Sequence, residues 1–265
     1  MPHRALLATL ALLGLTAGLW LLHVFGRTLP TAALVAAWLV MAAAMGFALF
    51  RRARIRRAAA LGAYLRDGSA LRRRLRGGWV MAATRFALGA ALALTLLLAV
   101  LRLDDGRAWA ALVASAPVLV VAELWLRQAL AAHVNAVYLP ELAWRLAAAV
   151  VGTVLVAVLV GLAFHRAYPA LGAATLEQAV WHMADAERAR SALAQALLQA
   201  AAAKDGLTLW LAQQLMPQPG ASLTDALGWL VVLGEEALFV WSYLTLCSAG
   251  LLRMTYSDAD AKLAS

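Results

Sequence analysis

The chain has 265 residues, of which 64% are hydrophobic and 14% charged, with a net charge of +9. Its mean hydropathy is +0.78. A soluble domain carries about a quarter charged residues, so an ordinary water-soluble globule is excluded. The single cysteine, Cys247, also excludes an intramolecular disulfide and a cysteine metal cluster.

In chain order, apolar runs predict six membrane spans at about 5–25, 31–50, 79–101, 108–126, 145–164 and 226–252. The first run has Arg4 ahead of it but exceeds the ~7–15 residues of a signal-peptide core, so it is read as a retained span. "GLTAG" gives Gly14 and Gly18 the spacing that allows close helix approach. The breaks "GRTLP" and "RLDDGR" suit antiparallel hairpins. Only helices or closed barrels satisfy the backbone in lipid, and continuous apolar runs do not alternate as barrel strands do. The expected fold is all-α, a polytopic membrane helix bundle forming one domain over 1–265.

The second span leads into a basic loop, 51–78, holding ten arginines and one acid, Asp67. Cytoplasmic placement of this loop puts both termini in the cytoplasm, with fifteen Lys/Arg inside, seven outside and Arg85 within a span. Trp20, Trp79, Trp109, Trp125, Trp144 and Trp229 fall near span ends, where amphipathic rings favour headgroups. Arginine supplies nearly all the positive charge, beside only Lys204 and Lys262, a bias of GC-rich coding that suggests a bacterial inner membrane. Arg51, Arg52, Arg54, Arg56, Arg57, Arg72, Arg73, Arg74 and Arg76 are candidate contacts for anionic lipid or an acidic partner. No module for nucleic-acid binding accompanies them.

Between the fifth and sixth spans lies 165–225, predicted to be a helical periplasmic segment. "TLEQ" fits a capping box with Thr175 as N-cap, opening a helix to about Ala203 that "KDG" ends, with Gly206 past its C-terminus. "LTLWLAQQLM" reads as a second helix lying along the membrane surface.

Two constellations place charge within spans. Reflecting Arg85 about the "LDDG" turn brings it within one position of Glu123, so a cross-helix ion pair is the leading reading. The alternatives are that Arg85 snorkels to the interface while Arg127 holds Glu123 at four residues' spacing, or that the two charges serve transport. Glu235 and Glu236 are adjacent in the sixth span. They are read as outer headgroup-level groups, as bonds to a neighbouring helix or subunit, as a proton or cation site of a transporter, or, last, as catalytic carboxylates.

"GEEALF" is similar over its glutamate pair to the EE-x-x-x-R motif of the CAAX-type intramembrane proteases. Val240 stands at the arginine position, however, and too little chain follows for their later histidine helices, so that activity is not expected. "VYLP" (137–140) resembles four residues of the ABC-importer permease loop, without its Glu-Ala-Ala and glycine portion.

His23, His165 and His182 have no ligand spacing, and no nucleophile with a base, phosphate loop or metal motif occurs. A non-catalytic protein without cofactor or metal is expected. Its expected partners are the lipid bilayer and other membrane or periplasmic proteins, with homo-oligomerisation left open. The expected role is a subunit or scaffold of an envelope assembly, with a small transporter or ion pathway using Glu235 and Glu236 as the alternative.

Overall fold

The computed structural model describes residues 2–64, 78–136, 138–165, 175–215 and 233–251. Among them, every regular element is a helix: α1 Pro2–Gly26, α2 Thr31–Tyr64, α3 Trp79–Leu101, α4 Gly106–Leu130, α5 Leu139–Phe164, α6 Leu176–Ala186 and α7 Ala192–Leu215. The last is α8, residues 233–251. Five of these, α1 to α5, are long and apolar enough to cross a membrane. Large apolar side chains cover their outer faces, Val40, Val121, Trp125 and Val150 among them. Water would penalise such a surface, whereas hydrocarbon accepts it. The protein is membrane-embedded.

The helices alternate in direction. The N-terminus of α1, the C-terminus of α2 and the α4–α5 connection share one end of the bundle, called the arginine end below. The turns after α1 and α3, together with α6 and α7, share the other, the strap end.

α3 packs along α2, and α4 along α5. α1 lies between the two pairs and touches both α3 and α4. The α2–α3 seam is tightest where Gly89 meets Gly46; a Cβ on Gly89 would lie 2.5 Å from the Gly46 backbone nitrogen. Gly14 and Gly18, the pair with the expected close-approach spacing, are exposed, and a Cβ on either would meet nothing within 4 Å. Gly89→Ala is therefore expected to cost about 2 kcal/mol through forced separation of two backbones. Gly14→Ala and Gly18→Ala should leave thermal unfolding in detergent unchanged, the comparison that checks the assignment.

α8 occupies the centre. Phe239, Val240, Tyr243, Leu244, Leu246 and Cys247 are all buried in the same core as Leu12, Leu92, Leu96, Leu112 and Leu119. Gly152 of α5 lets α8 approach, since a Cβ there would come 2.9 Å from Leu244. α8 is less apolar than α1 to α5 because it carries Glu235, Glu236, Ser242, Thr245 and Ser248. From Ser242 to Ser248 every residue is buried, and a stretch enclosed by protein needs less hydrocarbon-facing surface.

Three boundaries differ from those expected. The basic segment 51–78 is not a loop from its start, because α2 continues through Arg51, Arg52, Arg54, Arg56 and Arg57 to Tyr64. Arginine and alanine are strong helix formers, and nothing in this stretch interrupts the backbone hydrogen bonds. α5 starts at Leu139, with Pro140 in its first turn, where a missing N–H costs nothing.

The third difference concerns α6 and α7. The capping box forms as expected: Thr175 accepts from the Gln178 N–H, and the Gln178 side chain accepts from the Thr175 N–H. The helix it opens stops at Ala186, however, and α7 runs unbroken through Lys204, Asp205 and Gly206. Gly206 is a contact glycine, not a helix terminator. A Cβ there would lie 2.9 Å from the Ala179 carbonyl oxygen of α6.

Candidate functional site

Charged side chains gather at the two ends of the bundle, and a small hydroxyl cluster lies between them. At the strap end, α1 and α3 finish close together. The His23 Nδ1 lies 3.0 Å from the Val100 carbonyl oxygen, and its ring packs against Trp109 with centroids 5.6 Å apart. The Trp109 indole N–H donates to the Leu103 carbonyl at 2.9 Å. Asp105 caps α4 by accepting from the Arg107 N–H at 2.8 Å. This polar turn fixes Arg102, while the turn after α1 fixes Arg27, whose Nε donates to the Leu101 carbonyl.

The link between α6 and α7 closes over these two arginines. Glu187 is buried, with one carboxylate oxygen 3.2 Å from the Arg27 Nη1 and the other 3.1 Å from the Arg102 Nε. Arg102 also reaches Asp205 of α7 at 2.7 Å. Lys204 bridges Asp205 at 3.2 Å to Glu235 of α8 at 2.6 Å. The Arg190 N–H donates to the Arg27 carbonyl at 2.9 Å, and the Thr31 and Ser191 hydroxyls lie 2.7 Å apart. One continuous charge network thus straps α6 and α7 to both helical turns and to the start of α8.

Burial alone lowers the pKa of Arg102; Asp205 and then Glu187 more than reverse this, holding it above its usual value. Lys204 is likewise raised: partial burial opposes its charge, but Glu235 and Asp205 outweigh it. A raised lysine pKa gives stability present at neutral pH and lost as pH climbs through the raised value. On the alkaline side, the tie from α7 to α8 should therefore persist through the physiological range and release at pH above the ordinary lysine range. Because the Lys204 side chain is 53% exposed, Lys204→Ala should cost only about 0–1 kcal/mol, read by chemical denaturation in detergent.

At the arginine end, Glu123 is buried and pairs with Arg127 one helical turn away, at 2.5 Å. The expected pairing of Arg85 with Glu123 does not form. Although the hairpin connection is short, α1 is inserted between α3 and α4. Arg85 stays on the α2-packed helix with its Nε buried and without a hydrogen-bond partner among the described residues. Arg52 of α2 instead crosses to α5, with its Nε 3.8 Å from Glu141 and its guanidinium 4.8 Å from the Trp144 ring centroid. Arg54, Arg56 and Arg57 are exposed and Arg51 half-exposed. Arg72, Arg73, Arg74 and Arg76 lie outside the described residues.

Glu235 and Glu236 stand in the first turn of the described part of α8. Glu235 is half-exposed on Lys204, and Glu236 is half-buried beside it. Along α8 towards the arginine end, Tyr243 is fully buried. Its hydroxyl donates to the Leu112 carbonyl at 3.1 Å and lies 3.1 Å from the Thr16 hydroxyl; Ser115 approaches at 3.4 Å. These groups join α8 to α1 and α4. No candidate metal-binding group of three or more His, Cys, Asp or Glu occurs among the described residues.

An apolar cleft of about 230 Å³ separates α7 from α2 and α3, lined by Leu34, Trp38, Leu97, Leu98, Leu193 and Leu197 among others. Among the described residues, Ser191 is the one with a hydroxyl or charge that lines it. No protein-family model, curated protein or solved structure matches the chain.

The strap network was missed by sequence reasoning, which weighed charges within spans and passed over those just beyond them. A usable signal was present: Arg27 and Arg102 each follow the end of an apolar run, and the segment between the fifth and sixth runs supplies Glu187 and Asp205.

Proposed function

We propose that the chain is a six-span bacterial inner-membrane protein with both termini in the cytoplasm. In this reading it is a non-catalytic scaffold subunit of an envelope assembly, presenting α6 and α7 to a partner at the periplasmic face. The arginine distribution supports the orientation. The 19 residues of α8, at 1.5 Å rise each, reach about 28 Å and suit a sixth crossing.

The observation that carries the scaffold reading is the seating of Glu187 on Arg27 and Arg102. It fixes the α6–α7 unit to two separate turns, which makes that unit a rigid platform. Trp181 and Leu193 are exposed on it. A pre-ordered surface loses less entropy on binding than a flexible one. The transporter alternative needs Glu235 or Glu236 on a solute path, whereas Glu235 is engaged by Lys204 at the end of the bundle.

Photo-crosslinkers at positions 181 and 193 in native membranes test the proposal. Discrete adducts with another envelope protein are expected. A lone monomer after gentle extraction, with no adduct from either position, would overturn it. Solute flux in proteoliposomes that Glu235→Gln abolishes would replace it with the transporter reading.

A further inference from the structure

The arginine end holds more positive charge than its acids neutralise, and it does so in a fixed arrangement. Glu123 and Glu141 are both buried. Arg127 engages the first and Arg52 the second. Arg56 follows Arg52 by one helical turn and Arg145 follows Glu141 by one, so both stand beside that pair on the same helix faces. Four guanidiniums therefore surround two carboxylates where α2, α4 and α5 meet.

We propose that Arg52, Arg56, Arg127 and Arg145 form a seat for the phosphate-bearing headgroup of an anionic phospholipid. Four observations carry this assignment. The first is depth. Arg52 lies 21 residues beyond Thr31, or roughly 31 Å along the helix, about one hydrocarbon thickness, so the cluster sits at headgroup level. The second is preorganisation. Arg52 is held against Trp144 and Arg127 against Glu123, so two of the four cations are already in place before a ligand arrives.

The third is vacant donor capacity. Arg56 and Arg145 are exposed, so their guanidinium donors are open to a ligand. Guanidinium forks match phosphate oxygens in geometry as well as charge. The fourth distinguishes a lipid from a soluble acidic partner. Leu146, Val150 and Val154 form an exposed apolar strip that runs from Arg145 along α5 into the hydrocarbon region. A headgroup on the arginines would lay its acyl chain on that strip.

The test is native mass spectrometry of the full-length chain, released from detergent after equilibration with equal phosphatidylglycerol and phosphatidylcholine. The wild type should retain phosphatidylglycerol over phosphatidylcholine by about tenfold or more, because arginines beyond those the two acids neutralise favour the net-anionic headgroup. Excess inorganic phosphate should not displace it. Arg56→Ala with Arg145→Ala should bring the two lipids within about twofold. Arg56→Lys with Arg145→Lys should keep most of the preference, because the charge remains.

Cysteine labelling should show unchanged membrane orientation in the double alanine variant, since Arg51, Arg52, Arg54 and Arg57 stay in place. A role confined to setting topology would leave lipid retention unchanged in that variant, and this result overturns the proposal. Equal retention of the two lipids by the wild type overturns it without any variant, and displacement by inorganic phosphate overturns the lipid assignment.

Discussion

Glu187→Ala is expected to destabilise the protein by about 3 kcal/mol and to free α6 and α7 while the bundle beneath them holds. The magnitude follows from what the substitution leaves behind. Glu187 is the shared acid of Arg27 and Arg102, and its side chain is only 12% exposed, so its removal strands positive charge in a partly desolvated pocket. Arg102 keeps Asp205, which limits the loss, whereas among the described residues Arg27 keeps only its bond to the Leu101 carbonyl. Exposed ion pairs are worth about 0–1 kcal/mol, so the Lys204 ties cannot substitute for this one. Glu187→Gln preserves shape and one acceptor and should fall between wild type and alanine. Hydrogen exchange checks the location of the effect: protection should drop in α6 and α7 and stay unchanged in α3 and α4. Uniform loss across the bundle would mean that Glu187 holds the fold as a whole and not the strap.

Much of this architecture was legible in the sequence where the signal was local. Apolar runs gave the five helices long enough to cross a membrane, the Thr175–Gln178 pair gave the start of α6, and "RLDDGR" gave the turn between α3 and α4. Neighbour relations were not legible, because a helix apolar on every side carries no mark of which face meets protein. Hence α1 could be placed in the membrane but not between α3 and α4, and the pairing of Arg85 with Glu123 failed on that single insertion. The role of Gly206 was hidden for a similar reason. A glycine ending a helix and a glycine admitting a neighbouring helix look alike in one dimension, and only the approach of Ala179 separates them. Glu235 was read within a span because its run is apolar on both sides, and its partner, Lys204, lies 31 positions earlier.

Tyr243→Ala should be the most damaging single change in the bundle core, costing about 3–5 kcal/mol, while Tyr243→Phe should cost about 1 kcal/mol. Tyr243 is fully buried where α8 meets α1 and α4, so truncation to alanine opens a cavity among helices that cannot close independently. Loss of the hydroxyl alone leaves little unsatisfied. The Leu112 carbonyl retains Ser115 at 2.7 Å, and Thr16 retains the Leu12 carbonyl at 3.0 Å. Removing a hydrogen bond is cheap when every remaining polar atom keeps a partner, and costly when one is stranded. Pro117 sharpens the point. It lacks the N–H that would pair with the Val113 carbonyl, so α4 is weakened one turn from the place where Tyr243 and Ser115 grip Leu112. The hydroxyl cluster braces a helix at its weakest turn, and the aromatic ring fills the space between helices. Unfolding in detergent resolves the two contributions. A phenylalanine variant as unstable as the alanine variant would shift the main role from the ring to the hydroxyl.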